Sequence, residues 1–189
     1  MGIKEEGEWV LLHLLMTQAS DGKSAAPILL ELAAKCCWGL DRLPEIARLP
    51  EGKPFFPSQP DLCFNLSHSG PYALCALSRR EVGADVEVCR PRGENLPRRV
   101  LSEREYAWFR ERGCRWEDFY TLWTLKEAYV KWRGTGLDRA PRTIGVPLLE
   151  PGRTAQREGL VFSAYGGPGW RAGLCSPVGS AKIEVFSIS

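Results

Sequence analysis

One seven-residue stretch, Val82-Gly83-Ala84-Asp85-Val86-Glu87-Val88, restricts the folds open to this chain more than any other. Ala84, Val86 and Val88 alternate with Asp85 and Glu87, the period-2 pattern of a strand with one buried face. Residues two apart on a strand share a face, so both carboxylates point the same way, with backbones roughly 6–7 Å apart. Two carboxylates that close repel each other unless a cation sits between them.

A second stretch raises the same question from a helix. Residues 116–132 are predicted to be helical, with Phe119, Leu122, Trp123 and Val130 on one stripe and Lys126 and Glu127 interrupting it. Glu127 lies one turn after Trp123 and one turn before Lys131, so these three form a row on the inward side. Charges on a face that otherwise looks buried need partners. A third carboxylate from the helix, added to the strand pair, makes an all-oxygen set suited to Mg²⁺. Each feature also has an ordinary structural explanation. The strand pair can sit on an exposed face beside arginines, and a Glu–Lys pair at i,i+4 is common on helix surfaces.

The rest of the chain reads as a small α+β protein. Trp9 to Met16 is predicted as a buried strand, with His13 a core or edge histidine. A turn at Ser20 to Ser24 leads into a helix through about Trp38, whose apolar face carries Ala25, Ile28, Leu29, Leu32, Ala33 and Cys36. Pro44 to Pro60 is an irregular connection containing Gly52-Lys53-Pro54, where the proline holds the backbone of Lys53 extended. Leu62 to Ser69 and Tyr72 to Leu77 form two strands around a Ser69-Gly70-Pro71 turn. Ser67 and His68 point to opposite faces, and no G-x-S-x-G elbow occurs, which excludes a serine-hydrolase reading. Ser102 and Glu105 form a capping box for a helix to about Arg112. Short strands are expected at 144–146, 160–164, 170–175 and 183–188, with a hairpin loop at Gly166-Gly167-Pro168-Gly169.

A net charge of +2 over 189 residues gives no argument for nucleic acid, although Arg90, Arg92, Arg98 and Arg99 cluster after the carboxylate strand and would suit an acidic partner. Seven cysteines without a C-x-x-C pair indicate free thiols in a reducing compartment. The acidic start (Lys4, Glu5, Glu6, Glu8) does not resemble a signal peptide, and no run of about 20 apolar residues is present. A cytoplasmic protein without membrane contact is expected.

The motifs also carry a resemblance. Gly83-Ala84-Asp85-Val86-Glu87, together with Trp123 through Lys126-Glu127-Ala128 to Lys131, resembles the signature of the 4′-phosphopantetheinyl transferases. Gly52-Lys53-Pro54 and Phe64-Asn65-Leu66-Ser67-His68-Ser69 match further motifs of the longer, surfactin-synthetase type. The four occur in the family's order and at its usual spacing. Ala84 stands where the family usually has Ile or Val, a loss of packing rather than of a ligand.

The resemblance implies two similar α/β halves related by a pseudo-twofold axis, each a helix packed on a small antiparallel sheet. The halves would be 1–80 and 81–189, with the site in the cleft between them. It implies transfer of 4′-phosphopantetheine from coenzyme A to a serine of an apo acyl or peptidyl carrier protein, by a monomer. Mg²⁺, with Mn²⁺ as the alternative ion, would be held by Asp85, Glu87 and Glu127. Glu127, Lys131 and Lys126 would be catalytic. Lys53, Ser67, His68, Lys131 and Lys23 would bind coenzyme A, with Lys23 at the 3′-phosphate. The competing readings are a non-catalytic coenzyme A-binding protein, the short trimeric carrier-protein synthase form, and a metal-dependent phosphodiesterase.

Overall fold

Leu14, Leu15 and Met16 are all buried, so the strand that carries them is covered on both faces. The computed structural model describes residues 12–136 and 138–187, and the expected start of this strand at Trp9 lies outside them. The elements follow in order: β1 (His13–Gln18), α1 (Gly22–Trp38), β2 (Ala47–Arg48), β3 (Pro54–Phe55), β4 (Cys63–Ser69), β5 (Tyr72–Ser78), β6 (Gly83–Val88), α2 (Leu96–Val100), α3 (Glu103–Glu111), α4 (Trp116–Arg133), a 3₁₀ turn (Pro141–Thr143), β7 (Thr154–Arg157), β8 (Leu160–Gly167), β9 (Trp170–Ser176) and β10 (Ile183–Val185). They form a mixed α+β fold with two four-stranded sheets, ordered β10-β1-β5-β4 and β6-β9-β8-β7, and a two-stranded β2-β3 ribbon.

Alternation along each strand assigns its side chains to layers. Leu15, Ala73, Cys75 and Leu77 of the first sheet pack with Ala25, Leu29 and Ala33 of α1. Their neighbours Leu14, Met16, Leu74 and Ala76 turn the other way and meet Val82, Ala84, Val86, Ala172 and Leu174 of the second sheet. Phe119, Leu122 and Leu125 of α4 join Phe162, Ala164 and Cys175 in a third cluster on the far side of that second sheet. The layers therefore run α1, first sheet, second sheet, α4. Two apolar faces per sheet explain why β1 and β5 read as near-continuous apolar runs.

The same order of connection occurs twice. β1, α1, β4 and β5 give the antiparallel strand order β1-β5-β4, and β6, α4, β8 and β9 give β6-β9-β8. The last described strand, β10, joins the first sheet and runs parallel to β1, with Leu14 opposite Ile183. The tail thus completes a sheet, but the first one. Residues 144–146, expected as a strand, follow the 3₁₀ turn as irregular chain, and β7 and α2 were not anticipated.

Local chemistry fixes the helix ends. Asp21 accepts hydrogen bonds from the Lys23 and Ser24 amides at the start of α1, and Gly39 ends that helix at φ 68°. The capping box on α3 forms as expected between Ser102 and Glu105.

What seats α4 on the second sheet is an absence of side chain at two positions. A Cβ on Gly83 would lie 1.9 Å from the Ala128 carbonyl oxygen and 2.4 Å from the Trp132 amide. One on Gly173, the cross-strand neighbour of Asp85, would lie 2.6 Å from the Thr124 carbonyl. These obstacles are helix backbone, which cannot move aside cheaply. Gly83→Ala is therefore expected to cost about 2–4 kcal/mol in urea unfolding. Gly93→Ala, with open space around it, should stay within about 0.5 kcal/mol of the parent.

Candidate active site

Strand β6 is an edge strand, so alternate amides point away from its partner β9. The edge of the other sheet, β4, meets them with side chains. Asn65 Oδ1 accepts from the Ala84 amide at 2.9 Å, Ser67 Oγ from Val86 at 3.2 Å, and Ser69 Oγ from Val88 at 3.1 Å. The two serines also donate, Ser67 to Asp85 Oδ1 at 2.8 Å and Ser69 to Glu87 Oε2 at 2.7 Å. Asn65 and Ser67 are buried.

Helix α4 adds the other charges. Lys131 Nζ donates to Asp85 Oδ1 at 2.7 Å and to the Ala84 carbonyl at 3.2 Å. Glu127, one turn earlier, has its carboxyl pushed up to about 7, first by burial and then by Asp85 and Glu87; Lys131 pulls it back only in part. Burial likewise raises Glu87, against the downward pull of the Ser69 hydroxyl and the Trp123 indole. Trp123, expected on the buried stripe of the helix, lines a concavity together with Glu87. Among the described residues, Lys131–Asp85 is the one salt bridge made by any of the three carboxylates. Arg171, opposite Glu87 across the strands, turns instead to the carbonyls of Gly167 and Trp170.

Three carboxylates thus face one ammonium, and Asp85 Oδ2 is buried with no hydrogen-bond partner. An all-oxygen donor set with excess negative charge fits a hard cation such as Mg²⁺. Among the described residues no three acidic, histidine or cysteine side chains converge into a ready-made metal site. Mg²⁺ usually takes one or two carboxylates and completes its shell with water and phosphate oxygens, so these donors suit a site shared with a phosphorylated substrate. A concavity of about 200 Å³ opens beside them, lined by Glu87, Arg92, Leu96, Phe119, Tyr120 and Trp123.

The remaining residues expected at the site are placed differently. Lys126 is a correction. It leaves α4 on another side, is 1% exposed, and pairs with Glu105 Oε2 at 2.7 Å and with the carbonyls of Pro141 and Ile144. Burial draws its ammonium down while Glu105 pulls it back. An i−1 neighbour of Glu127 is rotated about 100° around the helix, and that rotation carries Lys126 into the core. Lys53, just before β3, pairs with Glu81 and donates to the Trp132 carbonyl near the end of α4 at 3.0 Å. Ser67 has its hydroxyl committed to Asp85 and Val86. His68 and Lys23 are exposed, and both lie near Asp21 at the start of α1.

Two consequences are measurable. Lys126→Met should lower stability by about 3–5 kcal/mol in chemical denaturation, because Glu105 would be left buried without its cation. The Glu127 effect should depend on pH. A carboxyl raised in the folded state contributes stability at pH below its unfolded value, and that contribution is lost as pH rises through about 7. Metal-free Glu127→Gln should therefore match the parent near pH 4 and exceed it above pH 8 by about 2 kcal/mol, after allowance for solvent screening. Thermal unfolding at the two pH values checks this.

Comparison with known proteins agrees with the motifs. Residues 81–173 match the family model of the 4′-phosphopantetheinyl transferase superfamily. The chain is similar to a 4′-phosphopantetheinyl transferase of Bacillus subtilis, 32% identical over 131 residues, covering 68% of this chain and 58% of the relative. It is 33% identical over 106 residues to 4′-phosphopantetheinyl transferase Sfp of Bacillus subtilis (strain 168), covering 55% of this chain and 47% of Sfp. To 4′-phosphopantetheinyl transferase AcpT of Salmonella typhi it is 45% identical over 100 residues, covering 50% of this chain and 52% of that protein. The matches thus span about half the length of these relatives. The segment that holds Asp85, Glu87, Glu127 and Lys131 is thus the one that matches the 4′-phosphopantetheinyl transferase superfamily.

Proposed function

We propose that this chain transfers 4′-phosphopantetheine from coenzyme A to a serine hydroxyl of an apo acyl or peptidyl carrier protein. The observation that carries the reading is the Lys131–Asp85 ion pair, with Glu87 two residues along the same strand and Glu127 one helical turn before Lys131, inside the segment matched by the superfamily. The paired β-α-β-β connections and the match to Sfp support the longer form, with halves related by a pseudo-twofold axis.

In this reading the serine oxygen bonds to the β-phosphorus of coenzyme A as the bond from that phosphorus to the bridging oxygen breaks. The electron pair leaves with adenosine 3′,5′-bisphosphate. The serine proton passes to the Glu127 carboxylate, directly or through an intervening water. Lys131 offers its ammonium to phosphate oxygens as charge moves toward the leaving group. Asp85, Glu87 and Glu127 would hold Mg²⁺, which supplies Lewis-acid polarisation of phosphate oxygens when bound. His68 and Lys23 are exposed cationic or ionisable groups beside the start of α1 and would take phosphates of coenzyme A. Lys53 would add a further phosphate contact once released from Glu81, whereas Ser67 keeps its hydroxyl proton on Asp85. Lys126 has no part in the proposal, since its ammonium is enclosed in the core. All seven cysteines are free thiols, which supports a reducing, cytoplasmic setting. No described helix is long and apolar enough to cross a membrane.

Intact-mass spectrometry tests the reading. Apo carrier protein incubated with this chain, coenzyme A and Mg²⁺ should gain one phosphopantetheine arm, and a chelator should prevent the gain. Asp85→Asn, which keeps an acceptor for Ser67 but removes the charge, should slow transfer by about 10²-fold or more. Tight coenzyme A binding with no gain on carriers from several pathways would replace the transferase with a coenzyme A-binding protein.

A further inference from the structure

The geometry points to Ser69, with Ser67 beside it, as a positioning residue for the site carboxylates: each serine is compelled by a main-chain amide to place its only hydroxyl proton on a carboxylate. The hydrogen-bonding capacity of each atom sets the direction of these contacts. A backbone amide only donates, so Ser69 Oγ must be the acceptor for Val88 and Ser67 Oγ the acceptor for Val86. Each hydroxyl then has one proton left, and the only other partner recorded for it is a carboxylate oxygen, Glu87 Oε2 or Asp85 Oδ1. The rotor is fixed, and so is the sense of the bond.

The effect on the carboxylate is directional. Asp85 Oδ1 receives both Ser67 and Lys131, whereas Oδ2 receives nothing and is buried. One oxygen is held so that the other is presented. Glu87 is treated alike on one side, by Ser69 at 2.7 Å. A flexible glutamate loses rotamer freedom on ordering, and the serine imposes that ordering before any ligand arrives.

Asn65 separates this role from simple docking of the two sheets. It occupies the same row of β4 and accepts from the same edge of β6, at Ala84, but among the described residues it makes no hydrogen bond to a carboxylate. Sheet docking needs only an acceptor at each of the three positions. Residues 67 and 69 carry a side chain that accepts and donates at once, and these are the two positions beside Asp85 and Glu87.

The inference rests on the transferase reading only in assigning the carboxylates to a divalent cation, and its test keeps the two apart. Mn²⁺ binding to the full chain is followed by electron paramagnetic resonance of the free ion, with and without coenzyme A, alongside thermal midpoint and transfer kinetics. Ser69→Ala should raise the Mn²⁺ dissociation constant on the order of tenfold. Ser69→Thr, which retains the hydroxyl, should stay within about twofold of the parent. Asn65→Ala should lower the thermal midpoint while leaving Mn²⁺ affinity within about twofold. Parent-like Mn²⁺ affinity in Ser69→Ala, an equal loss in Asn65→Ala, or no Mn²⁺ binding by the parent chain would each overturn the assignment. If the parent binds Mn²⁺ and the variants sort as expected but no carrier is modified, the serine assignment stands and the transferase reading falls.

Discussion

The close seat of α4 on the second sheet is the constraint from which the rest of the site follows. Helices normally pack on a sheet through side chains from both layers. Here Gly83 and Gly173 remove one of those layers locally, and helix backbone lies where their Cβ atoms would be. The short reach that results lets Lys131 touch both the Asp85 side chain and the Ala84 carbonyl. It also brings Glu127 near enough for Asp85 and Glu87 to raise its carboxyl. Without the glycines the same residues would face one another across a layer of side chains.

The two lysines of α4 show how position on one helix decides the fate of a charge. Lys126 is enclosed with Glu105 and two carbonyls, so its charge is neutralised within the fold and unavailable to a ligand. Lys131 faces a cluster with more negative than positive charge and stays partly exposed. The imbalance around Lys131 is unfavourable for the empty protein and favourable for a bound cation. Stability and function thus pull in opposite directions at Glu127, a common state of affairs at sites that bind ions.

Much of this was legible in the sequence. Alternation in Val82 to Val88 located β6 and the shared face of its carboxylates, and the row Trp123, Glu127, Lys131 followed from helical period. The capping box at Ser102 and Glu105 fixed the start of α3. Periodicity places a residue on a face, but it does not say how wide the buried arc of the helix is. Lys126, next to Glu127, could therefore not be sorted from it without knowing that α3 and the chain at 141–144 cover that side. The bonds of Ser67 were hidden for a different reason. They depend on two sheet edges meeting, which is a tertiary event between β4 and β6 with no local signature. The partner of β10 was hidden likewise, since a three-residue strand carries no information about which edge it will join.

That last strand bears on how the molecule is made. Ile183–Val185 lies against β1, pairing residues from opposite ends of the described chain. As the polypeptide emerges during synthesis, β1, β4 and β5 can assemble on α1 early, but the border of their sheet beside β1 waits for residues 183–185. Contacts between such distant segments form slowly. For that interval the nascent chain presents an unpaired strand edge to its surroundings, the kind of surface that chaperones shield and that other chains can join.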